Sequence, residues 1–130
     1  MRISVMSVMV NDQARALKFY TEVLGFVLKV DVPVGAGGER WLTVVAPDAL
    51  EGTQILLEPL GFPPARVYQK ALFDAGIPAA SFGVDDCQAE HDRMVKLGVT
   101  FKTPPTAMGP VTVAVFEDTC GNLIQMAQMM

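Results

Sequence analysis

"VNDQARALKFYTEVLGFVLK", residues 10–29, and "VDDCQAEHDRMVKLGVTFK", residues 84–102, follow one plan. Each opens on a valine and short polar or acidic residues, runs through a helix-like stretch, and leaves it through Leu-Gly. With one residue deleted from the first copy, identical residues align at Val10/Val84, Asp12/Asp86, Leu24/Leu97, Gly25/Gly98 and Lys29/Lys102. The flanking segments decide whether this is a duplication.

Before the first copy's helix, residues 3–10 (ISVMSVMV) are apolar and β-branched, as a strand requires. Asn11 or Asp12 is placed to cap a helix, because a short polar side chain accepts from an orphan backbone N–H. Ala16, Leu17, Tyr20, Val23 and Leu24 recur at helical spacing, and Gly25 is the expected stop. FVLKVDV, RWLTVVA and TQILLE then read as strands, with GAGGE as a turn. The order is β-α-β-β-β. The second copy repeats it: AASFGV as a strand, Asp85 or Asp86 as a cap, Cys87, His91, Met94 and Val95 as the helix's apolar stripe, and Gly98 as its end. VTFK, PVTVAVFE and NLIQMAQ are the remaining strands, with DTCG as the last turn. Between the copies, PLGFPPARVYQKALFDAGIP is rich in Pro and Gly at its ends, and Ala65 to Ala75 could form a short helix.

The 130 residues therefore make one α+β domain built from two tandem βαβββ modules: about 1–59, a linker of about 60–78, and about 79–130. Apolar residues make up 51% of the chain and mean hydropathy is +0.34, enough to fill a core. No apolar run approaches the ~18 residues of a membrane span, and the start of the chain does not read as a signal peptide. Ten basic against fourteen acidic residues give a net charge of −4 without a Lys/Arg cluster, which disfavours nucleic acid and anionic membranes as partners. Two cysteines without metal-ligand spacing fit a reducing cytoplasm.

The whole chain resembles the vicinal oxygen chelate superfamily of glyoxalase, bleomycin-resistance and extradiol dioxygenase proteins. "VNDQARALKFYTEVLGF" is close to the family's strand-helix-LGF opening. "FEDTCGNLIQ" is close to its F-x-D-P-x-G-N ending, with Thr119 in place of the customary proline. The resemblance implies that each module's sheet curls and that the two together form a curled mixed sheet around a pocket. It also implies four ligand positions in the metalloenzyme members, which map onto Val5, Glu58, Ala79 and Gln125.

Val5 and Ala79 have no lone pair, and Gln125 offers only a neutral amide oxygen. A catalytic zinc-type site needs about three protein ligands and an open position. No cofactor is therefore expected, although a weakly held divalent ion that keeps its waters remains compatible with one carboxylate. His91, the only histidine, lies on a helix stripe and reads as a half-buried helix residue rather than a ligand.

Strand alternation separates the faces. Ser4, Met6, Val8 and Val10 oppose Val5, Ser7 and Met9; Ile55 and Leu57 oppose Gln54, Leu56 and Glu58; Ala80, Phe82 and Val84 oppose Ala79, Ser81 and Gly83; Ile124 and Met126 oppose Leu123, Gln125 and Ala127. Aliphatic sets belong against the helices, where a polar group would go unpaired, and the mixed sets face the pocket. By the same test Trp41, Thr43, Thr112, Ala114 and Phe116 also face inward. The expected ligand-binding residues are thus Ser7, Trp41, Ser81, Phe116 and Gln125. Glu58, the only acidic residue placed on this face, is the candidate general base; an exposed strand-end carboxylate is the competing reading. Asp85 and Asp86 read as caps, Glu117 and Asp118 as turn residues, Cys120 as a turn residue rather than a reactive thiol, and GAGG as a hairpin loop lacking a phosphate-binding lysine.

Two functions follow. One is a small-molecule protein without the standard metal, acting as a sequestering binder or a non-metal isomerase. The other is a divalent-metal-dependent lyase or dioxygenase with an atypical site around Glu58 and Gln125. Catalysis, if present, would be of the lyase/isomerase or dioxygenase kind. The high apolar content predicts a homodimer.

Overall fold

The computed structural model describes residues 1–130, which divide into two compact units, Met1–Arg66 and Val67–Met130. In the first, β1 (Val5–Val10) leads to α1 (Gln13–Lys18), a π-helical turn (Phe19–Val23), β2 (Val27–Pro33), β3 (Arg40–Val45) and β4 (Gln54–Pro59). The sheet has the order β1-β4-β3-β2, with β1 and β4 parallel and the other pairs antiparallel. Asp12 is the N-cap, accepting from the Arg15 N–H at 2.9 Å. The chain leaves the helical segment through Gly25 at φ +87°, a conformation that costs a glycine little.

Register fixes the two faces of this sheet. Val8 pairs with Leu57 and Val44 with Ile55, so Val8, Val10, Leu42, Val44 and Leu57 share one side, all buried. Ala16, Phe19 and Tyr20 of the helical segment are buried against them. Tyr20 stacks on Phe26 with ring centroids 6.3 Å apart. Burying each such large side chain contributes about 1.5–3 kcal/mol. Phe19 and Tyr20, adjacent and about 100° apart around the helix, are both buried at the start of the π turn.

In the second unit, β5 (Ala80–Gly83), α3 (Cys87–Lys96), β6 (Phe101–Met108), β7 (Val111–Glu117) and β8 (Leu123–Met129) form the order β5-β8-β7-β6, again with the first pair parallel. Asp86 caps α3 by accepting from Ala89 N–H at 2.9 Å, the counterpart of Asp12. Gln128 adds a second cap, its Oε1 accepting from Cys87 N–H at 2.9 Å. Each unit is therefore a βαβββ module with a four-stranded mixed sheet. A further helix, α2 (Pro63–Ala75), carries the unit boundary within it. No helix is long and apolar enough to cross a membrane.

Two local expectations change. β6 continues beyond VTFK to Met108, because Pro104 and Pro105 sit on an edge strand beside register shifts, where the missing N–H costs no ladder bond. Val95 is 49% exposed, so the buried stripe of α3 narrows to Cys87 and Met94, with His91 half-buried beside them.

Candidate functional site: the mixed sheet faces

On the opposite side of the first sheet, Ser7 pairs with Leu56 and Leu56 with Thr43. This side therefore carries Val5, Ser7, Met9, Gln54, Leu56, Glu58, Trp41, Thr43 and Val45. Thr43 is fully buried and donates to Gln54 Oε1 at 2.7 Å, which uses the threonine's proton and leaves the amide N–H groups of half-buried Gln54 as donors on this face. Ser7 Oγ donates to Glu58 Oε1 at 3.2 Å. Glu58 is half-buried and makes no ion pair. Trp41 is 41% exposed and lies toward the Glu58 end of the same face, presenting an aromatic surface.

At this end the β3–β4 ladder opens, and Gln13 bridges the gap. Its Nε2 donates to the carbonyls of Arg40 and Leu57, both at 2.8 Å, and its Oε1 accepts from Arg40 N–H at 3.0 Å. The amide does what a missing ladder rung would do. Beside it, on the helix side, is a hollow of about 330 Å³ walled by residues 10–14, residues 37–40 and Pro59. Sequence reading identified the glycine loop at its rim only as a turn.

In the second sheet Ser81 pairs with Gln125 and Gln125 with Val115. Gln125 Nε2 donates to Ser81 Oγ at 2.9 Å. Phe116, however, is on the other side. It pairs with Ile124, is only 1% exposed, and meets Phe101 with centroids 5.7 Å apart, while Phe101 meets His91 of α3 at 4.4 Å. Phe116 is thus a core residue beneath α3 rather than a ligand contact, and Thr112 and Ala114 share its face. β7 is apolar on both sides, so alternation of polarity had nothing to decide between them. The residues that do share the Gln125 face are Val111, Val113, Val115 and Glu117. Glu58 is therefore not the only acidic residue on a mixed face.

The registers also separate Glu58 from Gln125. Counting back from the caps makes Ser7 and Ser81 equivalent, and their partners are Leu56 and Gln125. Glu58 lies one pleat farther along and corresponds to Ala127. The residue in the first unit at Gln125's position is a leucine. Val5, Leu56 and Ala79 are hydrocarbon, Gln125 is a neutral amide, and no three His, Cys, Asp or Glu side chains come together to hold an ion. This donor set does not fit the family's metal centre. His91 is bonded to Asp92, Nδ1 to Oδ1 at 3.0 Å, holding the Asp92 carboxyl below the usual range together with a bond from Gln88.

The last turn is held by Asp118, fully buried. Its Oδ1 accepts from Cys120 N–H at 2.8 Å and Asn122 N–H at 3.0 Å, and its Oδ2 accepts from Asn122 Nδ2 at 2.8 Å. Asp118 is a turn residue, and Cys120 is buried within that turn.

Comparison with known proteins gives one consistent answer. Residues 2–126 match the profile of the Glyoxalase/Bleomycin resistance protein/Dioxygenase superfamily. The uncharacterized protein YurT of Bacillus subtilis (strain 168) is 56% identical over 128 residues, covering 98% of this chain and 99% of that one. The crystal structure of UcmS2 superposes with a TM-score of 0.83 at 30% identity, over 98% of this chain and 97% of that chain. TnmS3, an antibiotic binding protein from Streptomyces sp. CB03234, does so with a TM-score of 0.77 at 30% identity, over 100% and 97%. The duplicated βαβββ units and these matches agree: the chain belongs to the glyoxalase/bleomycin resistance protein/dioxygenase superfamily.

Proposed function

We propose that the protein binds a small organic molecule against the mixed faces of its sheets, without a metal centre of the standard kind, and sequesters or isomerises it. The observation that carries this reading is the chemistry around the two equivalent serines, Ser7 and Ser81, one in each unit. Val5, Leu56 and Ala79 supply apolar surface where a metalloenzyme needs donors, and the polar groups left are hydroxyls, the Gln54 and Gln125 amides, Glu58 and Glu117. Apolar walls with few polar groups are the usual makeup of a small-molecule site. An antibiotic binding protein among the structural neighbours supports a ligand of that size. The ligand-contacting residues are Ser7, Trp41, Ser81 and Gln125, with Glu58, beside Ser7, as the candidate proton acceptor. The protein works in the cytoplasm as a homodimer; exposed Met6, Phe62, Val67, Tyr68 and Met108 support the pairing.

The test has two arms. A thermal-shift screen of aromatic and antibiotic-like compounds should yield stabilising ligands, whose effect weakens in Trp41→Ala and Ser81→Ala. Metal analysis of protein purified without chelator should find no stoichiometric Fe, Ni, Mn or Zn. A full equivalent of metal that is lost in Glu58→Ala would instead overturn the metal-free reading in favour of the alternative, a metal-dependent lyase or dioxygenase with a site around Glu58 and Gln125.

A further inference from the structure

The two serines at equivalent positions have opposite hydrogen-bonding polarity. Ser7 spends its proton on Glu58, so Ser7 and Glu58 together present only acceptors. Ser81 accepts from Gln125, so its own proton is free to donate, and no charge lies in that pair. Glu58 is half-buried, has one hydrogen bond from a neutral hydroxyl, and faces no Lys, Arg or His at ion-pair distance. Its carboxylate retains unused acceptor capacity on a face where its cross-strand partner is Met9 and where Val5, Leu56, Val45 and Trp41 supply further apolar surface, with the Thr43–Gln54 pair two pleats away.

From this we infer that the first unit's mixed face selects an organic cation: an aromatic ligand whose protonated amine is held by Glu58 and Ser7 and whose ring lies on the apolar surface beside Trp41. The assignment rests on the small-molecule reading above. Its physical basis is a penalty as much as an attraction. Any ligand lying over Glu58 strips water from a carboxylate. A carbonyl or carboxylate group offers it no donor and leaves a desolvated, unpaired charge. An ammonium group replaces the lost water with a charge-assisted bond and gains further from the indole face. Glu58 is thus a specificity-determining residue; the equivalent serine of the other unit, Ser81, is bonded to a neutral amide instead of a carboxylate.

Three probes with one ring system test this by titration calorimetry: naphthylmethylammonium, naphthylmethanol and naphthoate. The ammonium compound should bind the wild-type protein about tenfold or more tightly than the alcohol, with naphthoate weakest, and added salt should narrow the gap. In Glu58→Gln, which keeps shape and removes charge, the preference for ammonium over alcohol should vanish while the alcohol binds as before. Glu58→Asp should retain part of the preference. Equal wild-type affinity for all three, or a preference that survives in Glu58→Gln, overturns the charge selection and leaves the small-molecule reading standing. Binding of none of them, with no hit in the wider screen, overturns both.

Discussion

The Leu24 N–H reaches the carbonyl of Phe19, five residues back, at 3.1 Å. That bond belongs to the π-helical turn at Phe19–Val23, and it accounts for the one-residue mismatch between the sequence copies. Asp12 to Gly25 is one residue longer than Asp86 to Gly98, and both segments start and stop in the same way. A helix with fixed ends absorbs an extra residue as a π bulge. Thr21 answers the local disturbance by donating its hydroxyl to Leu17 O at 2.6 Å.

Deleting exposed Glu22 should therefore convert the turn to regular α-helix and cost less than about 1.5 kcal/mol, since the caps and the buried Phe19 and Tyr20 keep their places. Deleting exposed Arg93 from α3 has no such slack. It swings Met94 about 100° out of the core, and its loss should cost about 2–5 kcal/mol. Urea unfolding of the two deletion variants checks the contrast; equal losses would count against the bulge as the site of the insertion.

Thr119 is the one non-glycine residue with positive φ, at +66°. A β-branched residue is strained there. The same position carries the family's customary proline, whose φ is locked near −65°, so this chain's departure from the pattern accompanies a different backbone. Thr119→Gly should raise stability by about 0.5–1 kcal/mol, or about 2–3 °C in Tm. Thr119→Pro should lower it by about 3 kcal/mol or more. A stabilising proline would show that the native turn is not the one described.

The pattern of caps, glycine stops and strand spacing made both modules readable from the chain alone. Asp12, Asp86, Gly25 and Gly98 are local signals whose physics involves few neighbours, and they stand where the sequence places them. What escaped was whatever depends on a partner strand. Phe116 and Thr112 alternate with valines in a strand apolar on both sides, so only the register with β8 assigns their faces. Glu58 shares a face with Leu56, and the family resemblance mapped a ligand position onto the glutamate; the β1–β4 register makes the leucine Gln125's counterpart. The hydrogen-bond polarity of Ser7 and Ser81 lies further still from sequence, because it depends on which neighbour each hydroxyl meets.

A Cβ added to Gly121 would stand 2.7 Å from Gln69 Oε1, and the glycine itself is at φ +98°. Gln69, from α2, donates to Cys120 O and Asn122 Oδ1, both at 3.2 Å, holding that helix to the last turn. Gly121→Ala combines left-handed strain of about 1–2 kcal/mol with displacement of Gln69 and loss of bonds worth about 1 kcal/mol. The sum should be about 2–3 kcal/mol by urea unfolding. Gln69→Ala should cost about 1 kcal/mol alone, and the double variant should cost less than the two added, because the displacement is then already absent. Strict additivity would mean that the two side chains do not meet.

Cys87 gives the protein an alkaline limit. Burial pushes its thiol above the reference value of 9.0, and the neighbouring Asp86 carboxylate raises it further. In the unfolded chain the thiol loses its proton at the ordinary pKa, while the folded chain still holds it. Between those two values the unfolded state binds fewer protons, so stability falls as pH rises. Below the reference pKa this group contributes no slope. Thermal unfolding from pH 7 to 10.5 should show a decline in Tm that sets in near pH 9 and is smaller in Cys87→Ser, whose hydroxyl does not titrate there. Asp86→Asn keeps a capping oxygen and removes the charge. Because burial is the larger cause, that variant should retain most of the decline. A decline that disappears in Asp86→Asn would make the carboxylate, and not burial, the source of the effect.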